Sequence, residues 1–189
     1  MTAPLLFSAL PALADPVSGS DARGQLFHPE RVEVVRYDAQ GLSDQEVQIL
    51  ASVAQGQKYY AAVAFAPADG LMSEATVMAA NHHTVAAARE AAMAECETRR
   101  SAAGNCVIVM EVRPASWEAR DLQLSADATE AVGNDYPARG PAAFAASAST
   151  GLWGLGVGEG AGERALAACA TGNEASETEA ADCAVVIAD

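Results

Sequence analysis

The sequence predicts an α+β protein made of two β-β-α-β units, each stapled by one disulfide and packed together as one pseudo-symmetric body. Three observations lead there. An apolar segment turning at Gly-Leu occurs twice, as Tyr60 to Met72 and as Ala142 to Trp153, with Gly70-Leu71 aligning with Gly151-Leu152. Each copy runs into an alanine-rich stretch ending in cysteine, at Cys96 and at Cys169. Each then resumes with a cysteine-led Val/Ile run, from Cys106 and from Cys183. Four cysteines allow three pairings. The repeat selects Cys96–Cys106 and Cys169–Cys183, because a duplicated unit carries its internal bridge with it. Closing such loops stabilises by about 2–3 kcal/mol each in the chain-entropy model. That matters for units of about 50 residues, whose isolated cores are marginal.

Residues 1–14 read as an export signal. Leu5 to Leu13 is a short apolar run, and Ala12-Leu13-Ala14 before Asp15 supplies the small residues a signal peptidase cleaves after. The basic n-region is missing, since the first Lys or Arg is Arg23, so either the start lies upstream or the signal is weak. An ordinary apolar N-terminus is the other reading.

Within the extension 15–57, Asp15 to Gln25 is polar, carries Gly and Ser, and is expected to be unstructured. Val32 to Tyr37 reads as a strand. Ser43-Asp-Gln-Glu46 is a capping box opening a helix whose apolar positions Val47, Leu50, Ala51 and Ala54 follow helical spacing, with Gly56 ending it. In the first unit, 58–113, Tyr60 to Ala66 is a strand turned at Pro67-Ala-Asp-Gly70, and Leu71 to Ala79 returns beside it. Asn81 or Thr84 caps a helix to about Cys96, with Val85, Ala88, Ala92, Met93 and Cys96 on one face. Gly104-Asn105 turns the chain into a buried strand, Cys106 to Val112. Residues 114–140 read as a linker, punctuated by Asn134-Asp-Tyr-Pro137 and Gly140-Pro141, with a short strand around Leu122 to Leu124. The second unit, 141–189, repeats the order with a shorter helix, Ala161 to Ala170, and a last strand, Ala184 to Ala188.

The composition bounds the function. The 189 residues carry a net charge of −14, which excludes nucleic acid and disfavours an anionic membrane surface, because both need clustered Lys and Arg. The same acidity steers basic partners to the surface. No stretch approaches the roughly 20 apolar residues that span a bilayer. An even cysteine count suits an oxidising compartment, periplasmic or secreted.

Candidate chemistry is thin. Gly156-Val-Gly158-Glu-Gly160-Ala161 fits G-x-G-x-x-A, with Glu179 near the distance of an acidic ribose partner but in an acidic loop, yet a glycine-faced strand permitting close backbone or aromatic approach explains it better. His82-His83 point apart on any regular backbone, so one metal rarely takes both, and His28 stands alone. The cysteine spacings lack the C-x2-C hooks of zinc sites. Glu174, Glu177, Glu179 and Asp182 lack the central glycine of a calcium loop and read as a solvated loop. Ser147 and Ser149 have no nucleophile-elbow context. Glu111, Glu118 and Asp121 could pair as carboxylates only if the fold converges them. No catalytic, cofactor or metal residue is therefore assigned; the assigned residues are the disulfide cysteines Cys96, Cys106, Cys169 and Cys183.

The strand-turn-strand core with Gly151-Leu-Trp-Gly154, the alanine-rich helix ending in cysteine and the cysteine-led strand resemble DUF4189, a family of small exported bacterial domains without an assigned activity. Two copies would cover about half the chain, the first with Met72 where the second has Trp153. Related proteins also carry an aminolevulinate-synthase label, which the residues do not support. Pyridoxal-phosphate chemistry needs a Schiff-base lysine, and the one lysine is Lys58, at a strand start. The resulting expectation is an exported, non-catalytic binding module with a basic protein partner in the cell envelope. The alternative is a small envelope enzyme using carboxylates.

Overall fold

The computed structural model describes residues 15–38, 41–178 and 180–189; the expected signal segment 1–14 lies outside them. In chain order the elements are α1 (Gly19–Gln25), β1 (Val32–Arg36), α2 (Asp44–Gln55), β2 (Ala61–Phe65), β3 (Val77–Ala79) and α3 (Val85–Arg99). They continue with β4 (Val107–Pro114), α4 (Ala126–Asn134), β5 (Ala142–Ser147), β6 (Trp153–Val157), α5 (Ala161–Ala175) and β7 (Cys183–Ala188). The fold is α+β, with two sheets ordered β1-β4-β2-β3 and β6-β5-β7, all strands antiparallel to their neighbours.

Both halves run β-β-α-β, as β2-β3-α3-β4 and β5-β6-α5-β7. In each, the first strand lies between its hairpin partner and the last strand. Each first strand meets the last across a register break, between Val63 and Ala64 in one unit and between Phe144 and Ala145 in the other. The two breaks fall at the same distance before Gly70 and Gly151, which hold φ of 80° and 78° in their turns, a conformation that favours glycine. The disulfides are Cys96–Cys106 and Cys169–Cys183, with Cα atoms 6.2 and 6.1 Å apart, each tying a helix to the start of a last strand.

Each sheet is covered on both faces. In the first, Ala62, Ala64 and Val77 pack with Ala88, Ala92 and Cys96 of α3, while Val63, Phe65 and Val112 pack with Leu50, Ala51 and Ala54 of α2. The helix α2 starts at the expected capping box, with the Ser43 hydroxyl accepting from the Glu46 backbone and the Glu46 carboxylate accepting from that of Ser43. Alanine lining lets α3 lie close to its strands, and Thr84 supplies its N-cap. In the second sheet, Ala143 and Ala145 pack with Ala161, Ala165 and Cys169 of α5. Phe144 and Ile187 on the opposite face pack with Ala22 of α1 and Ala128, Ala131 and Val132 of α4.

Several expectations are corrected. Residues 15–25 are structured: Ser18 caps α1, Gly19 N–H donates to the Asp189 carboxylate at 3.1 Å, and Val17 bridges to Ile187. The strand expected over Leu71 to Ala79 shrinks to Val77–Ala79, because the chain first makes turns closed by Ser73 and Thr76. The linker 114–140 contains α4, which fills the core of the second sheet, and Leu122 and Leu124 are buried without forming a strand. Helix α5 extends to Ala175, as far as α3 does in residues, although Cys169 sits earlier along it. The hairpin loops also differ, spanning 66–76 and 148–152. Met72 is consequently not at the place of Trp153: it is 95% exposed in the longer loop, whereas Trp153 pairs with Ala146 and stacks on Phe144, ring centroids 5.1 Å apart.

Candidate functional site

Most interior polar side chains are fixed by protein partners, while among the described residues Tyr60 OH, His82 Nδ1 and Trp117 Nε1 are buried without one. Glu111, on β4, is wholly buried. Its Oε1 accepts from Arg89 of α3 at 2.7 Å and its Oε2 from Arg113 at 2.8 and 2.5 Å. Arg113 also donates to the Tyr37 hydroxyl at 3.1 Å and lies over the Trp117 ring. Burial and the neighbouring Glu111 raise the Tyr37 pKa. Glu118 is exposed and pairs with Arg120, and Asp121 is exposed, so the fold does not converge these three carboxylates: one is buried and doubly paired, and two lie at the surface.

Ser147 is buried and donates to Asp182 at 2.5 Å, while the Ser149 backbone N–H donates to the same carboxylate at 2.8 Å. Burial pushes the Asp182 pKa up, but these hydrogen bonds outweigh it and hold the group below the ordinary aspartate value. Asp182 thus closes the second disulfide loop rather than serving a cation; Glu174 and Glu177 are exposed, and Glu179 lies outside the described residues. Within that loop Asn173 is buried and donates to Ala180 O at 3.1 Å.

The two histidines are buried, a placement that adjacency in sequence does not reveal. His83 Nδ1 accepts from the Ser125 backbone N–H at 2.9 Å, so its Nε2 carries the proton and donates to Leu152 O at 3.0 Å. One neutral ring therefore joins the start of α3, the N-cap of α4 and the second hairpin. Burial pushes its pKa down to about 4 and lowers that of His82 as well. Gly151 packs directly against Asn81 O and His82 Cα, so the second hairpin turn meets the first unit backbone to backbone. His28 is exposed and its Nδ1 accepts from Glu30 N–H. Among the described residues no three of His, Cys, Asp and Glu gather to hold a metal ion.

The glycine motif has a packing role. A Cβ on Gly154 or Gly156 would run into the α5 backbone at Ala161, Ala165 and Cys169. Gly154 and Gly156 thus lie under the helix, whereas a Cβ on Gly158 or Gly160, at φ of 82° and 71°, would meet only the side chains of Arg164 and Glu163.

The outer face of α4 is accessible, as are concavities of about 420 Å³ beside Thr84, Ser149 and Asp182 and about 400 Å³ beside Arg36 and Gln48. Ser125 caps this helix, its small residues Ala128, Ala131 and Val132 turn inward, and Glu130, Asn134 and Asp135 are exposed. A groove of about 650 Å³ runs along one flank, lined by Arg23, Leu26, Phe27, His28, Thr129 and Glu130 among others. Arg120 shapes its wall by lying 3.8 Å above the Phe27 ring and donating to Gln25 O at 2.7 Å. A second concavity of about 370 Å³ lies on the other flank, lined by Asp127, Glu130, Asn134, Asp135 and Trp153. Lys58 reaches Asp127 at 2.5 Å, so the one lysine is an ion-pair partner at this rim, 58% exposed, and no buried Schiff-base site surrounds it. The chemistry available here is carboxylate and aromatic recognition, in a size range that accepts side chains or a small ligand.

Compared with family models, curated proteins and solved structures, the chain matches none of them.

Proposed function

We propose that this chain is an exported, periplasmic or secreted module, resembling DUF4189 in duplicate, whose two units pack as a pseudo-symmetric body and which works by binding a basic protein of the cell envelope. The observation that supports it most is the division of polar groups. Buried Glu111, Ser147 and His83 are committed to internal partners, whereas the exposed carboxylates of α4 border two grooves. Fixed internal pairing gives a scaffold; an acidic ridge beside Phe27 and Trp153 gives an attachment surface for Lys and Arg side chains. Two disulfides and the absence, among the described residues, of a helix long and apolar enough to cross a membrane agree with that setting.

The test is affinity capture from an envelope extract at low and at high salt. A basic protein recovered at low salt, released as salt rises, and lost with a Glu130→Lys, Asp135→Lys variant is the expected result. Recovery of nothing specific would sink the reading.

A further inference from the structure

The second sheet has two unequal edges. At β7 the outer edge is met by Val17, whose N–H donates to Val186 O at 3.1 Å and whose carbonyl accepts from Ala188 N–H at 3.0 Å. At β6 it is open. Ser147 N–H donates to Leu152 O at 2.9 Å, and Gly158 N–H to Pro141 O at 2.7 Å, at the two ends of the β5–β6 ladder. Antiparallel ladders alternate, so Leu152, Gly154, Gly156 and Gly158 turn their backbone groups towards β5, and Trp153, Leu155 and Val157 turn theirs outward. Arg164 takes the Val157 carbonyl at 2.8 Å. Among the described residues no backbone group pairs with the N–H of Trp153, Leu155 or Val157, or with the carbonyl of Trp153 or Leu155. Exposed edges are normally blunted by a charge, a proline or a bulge. This strand reads Trp-Gly-Leu-Gly-Val, and Val157 is 53% exposed.

The faces flanking this edge are unlike. Gly154 and Gly156 are roofed by α5. Trp153 and Leu155 lie on the α4 side, where Asp127, Glu130 and Asp135 line the concavity that Trp153 completes. A strand added at β6 would place every second side chain beside those carboxylates. We propose that β6 is a docking edge for an extended basic segment of a partner protein, which adds to the sheet as a fourth strand and sets its alternate Lys or Arg side chains against Glu130 and Asp135, Asp127 being already paired with Lys58. The backbone supplies directional hydrogen bonds and the acids select the partner's charge, the division of labour of strand addition. This rests on the basic-partner reading and names its site. A second copy of the chain fits worse: antiparallel pairing of two β6 strands puts both α4 helices on one face and sets like charges together on a protein of net charge −14.

The experiment uses the protein with a blocked peptide alternating lysine and valine, and with two versions N-methylated at every second residue, one in each phase. Affinity is measured by calorimetry and backbone amide exchange by NMR. The expected result is that the parent peptide slows exchange at Trp153, Leu155 and Val157. One methylated phase should bind about tenfold or more weakly while the other keeps most of the affinity, since each lost hydrogen bond weakens binding by about that factor or less and several go together. If all three peptides bind alike and only salt matters, the edge is not the site, although the basic-partner reading stands. If none binds, the edge proposal is overturned, and the envelope capture judges the broader reading separately. A dimer in sedimentation that protects the same three amides without peptide would assign the edge to a second copy instead.

Discussion

In the first unit α3 is fastened to its sheet by charge: Arg89 reaches across to the buried Glu111, which Arg113 holds from below. In the second unit the ladder position of Glu111 is occupied by Ala188, since Ala62 faces Glu111 and Ala143 faces Ala188. There α5 is fastened by proximity, lying on Gly154 and Gly156 where the first unit has Val77 and Ala79. One topology thus tolerates two ways of seating its helix. Helix α3 also packs on its strands through alanine and adds a side-chain ion pair that needs matched partners, whereas α5 comes down to backbone contact, which forbids any Cβ. The choice follows from what else each sheet carries. Sheet one adds β1 beside β4, so the face next to α3 extends and Arg113, Tyr37 and Trp117 furnish it. Sheet two has no such strand there.

The largest expected effect tests the proximity half. Gly156→Ala gives the second unit the residue of the first, yet its Cβ meets backbone that cannot rotate away, so α5 must lift. A loss of about 3 kcal/mol or more in urea unfolding is expected. The reverse exchange, Ala79→Gly, should lose only about 1 kcal/mol. Equal losses would break the comparison.

Replacing either cysteine pair by alanine should cost about 3 kcal/mol. The bridges span 10 and 14 residues, and the chain-entropy model separates them by only about 0.3 kcal/mol. A much larger loss in the second unit would mean that Asn173 and Asp182 depend on the bridge to hold their loop.

His83 belongs to neither unit alone. Its folded pKa of about 4 lies below the ordinary 6.5, so the unfolded chain binds the extra proton first as pH falls. Its contribution is complete above pH 6.5 and lost on the way down to 4, at up to about 1.4 kcal/mol per pH unit. His82 acts in the same direction. Stability measured across that range should slope, and His83→Gln should remove most of the slope. A flat profile in the parent would show that the ring is not locked between Ser125 and Leu152.

The charge half of the comparison is tested by Glu111→Ala, which copies Ala188. Removing one partner of a fully buried pair typically costs 3–5 kcal/mol. Arg89 is 46% exposed and can rehydrate, so about 2 kcal/mol is expected, measured by urea unfolding.

Much of this architecture was legible because it is local or repeated. The capping box at Ser43, the turns at Gly70 and Gly151, the strands around Val63 and Phe144 and the bridge pairing all carry their own signals. Helix α4 was hidden because its inward stripe is Ala126, Ala128, Thr129, Ala131 and Val132, with no large residue to mark a period. Ser125 followed by Asp127 was the signal available, a cap with an acid in the first turn. The seven-residue α1 has no intrinsic stability and owes its form to Asp189 and Tyr136, distant in sequence. Of the accessible site, only the acidity was readable. The grooves and the open edge of β6 arise from how α4 lies against sheet two, and His83 meets Leu152 across 69 positions.

The smallest effect concerns one feature the units share with its polarity reversed. Each disulfide loop is tied to its hairpin turn by a carboxylate. In the first unit Asp69 stands on the hairpin and accepts from Ser101 and Ala102 at 2.8–2.9 Å; in the second Asp182 stands on the disulfide loop and accepts from Ser147 and Ser149. Both carboxyls titrate below the ordinary 3.8, Asp69 chiefly through the Ser101 hydroxyl. Their contribution is therefore present above that pH and lost as pH falls through the lower folded values. Asp69→Asn and Asp182→Asn should each flatten the acid limb of the stability profile below pH 3.8 while leaving the His83 slope intact. Asp182→Asn should do more, because the buried Ser147 loses its acceptor's charge, whereas Ser101, the partner of Asp69, is exposed and can rehydrate. A larger effect at Asp69 would show that the exposed loop of the first unit, not the buried serine of the second, is where the shared tie matters.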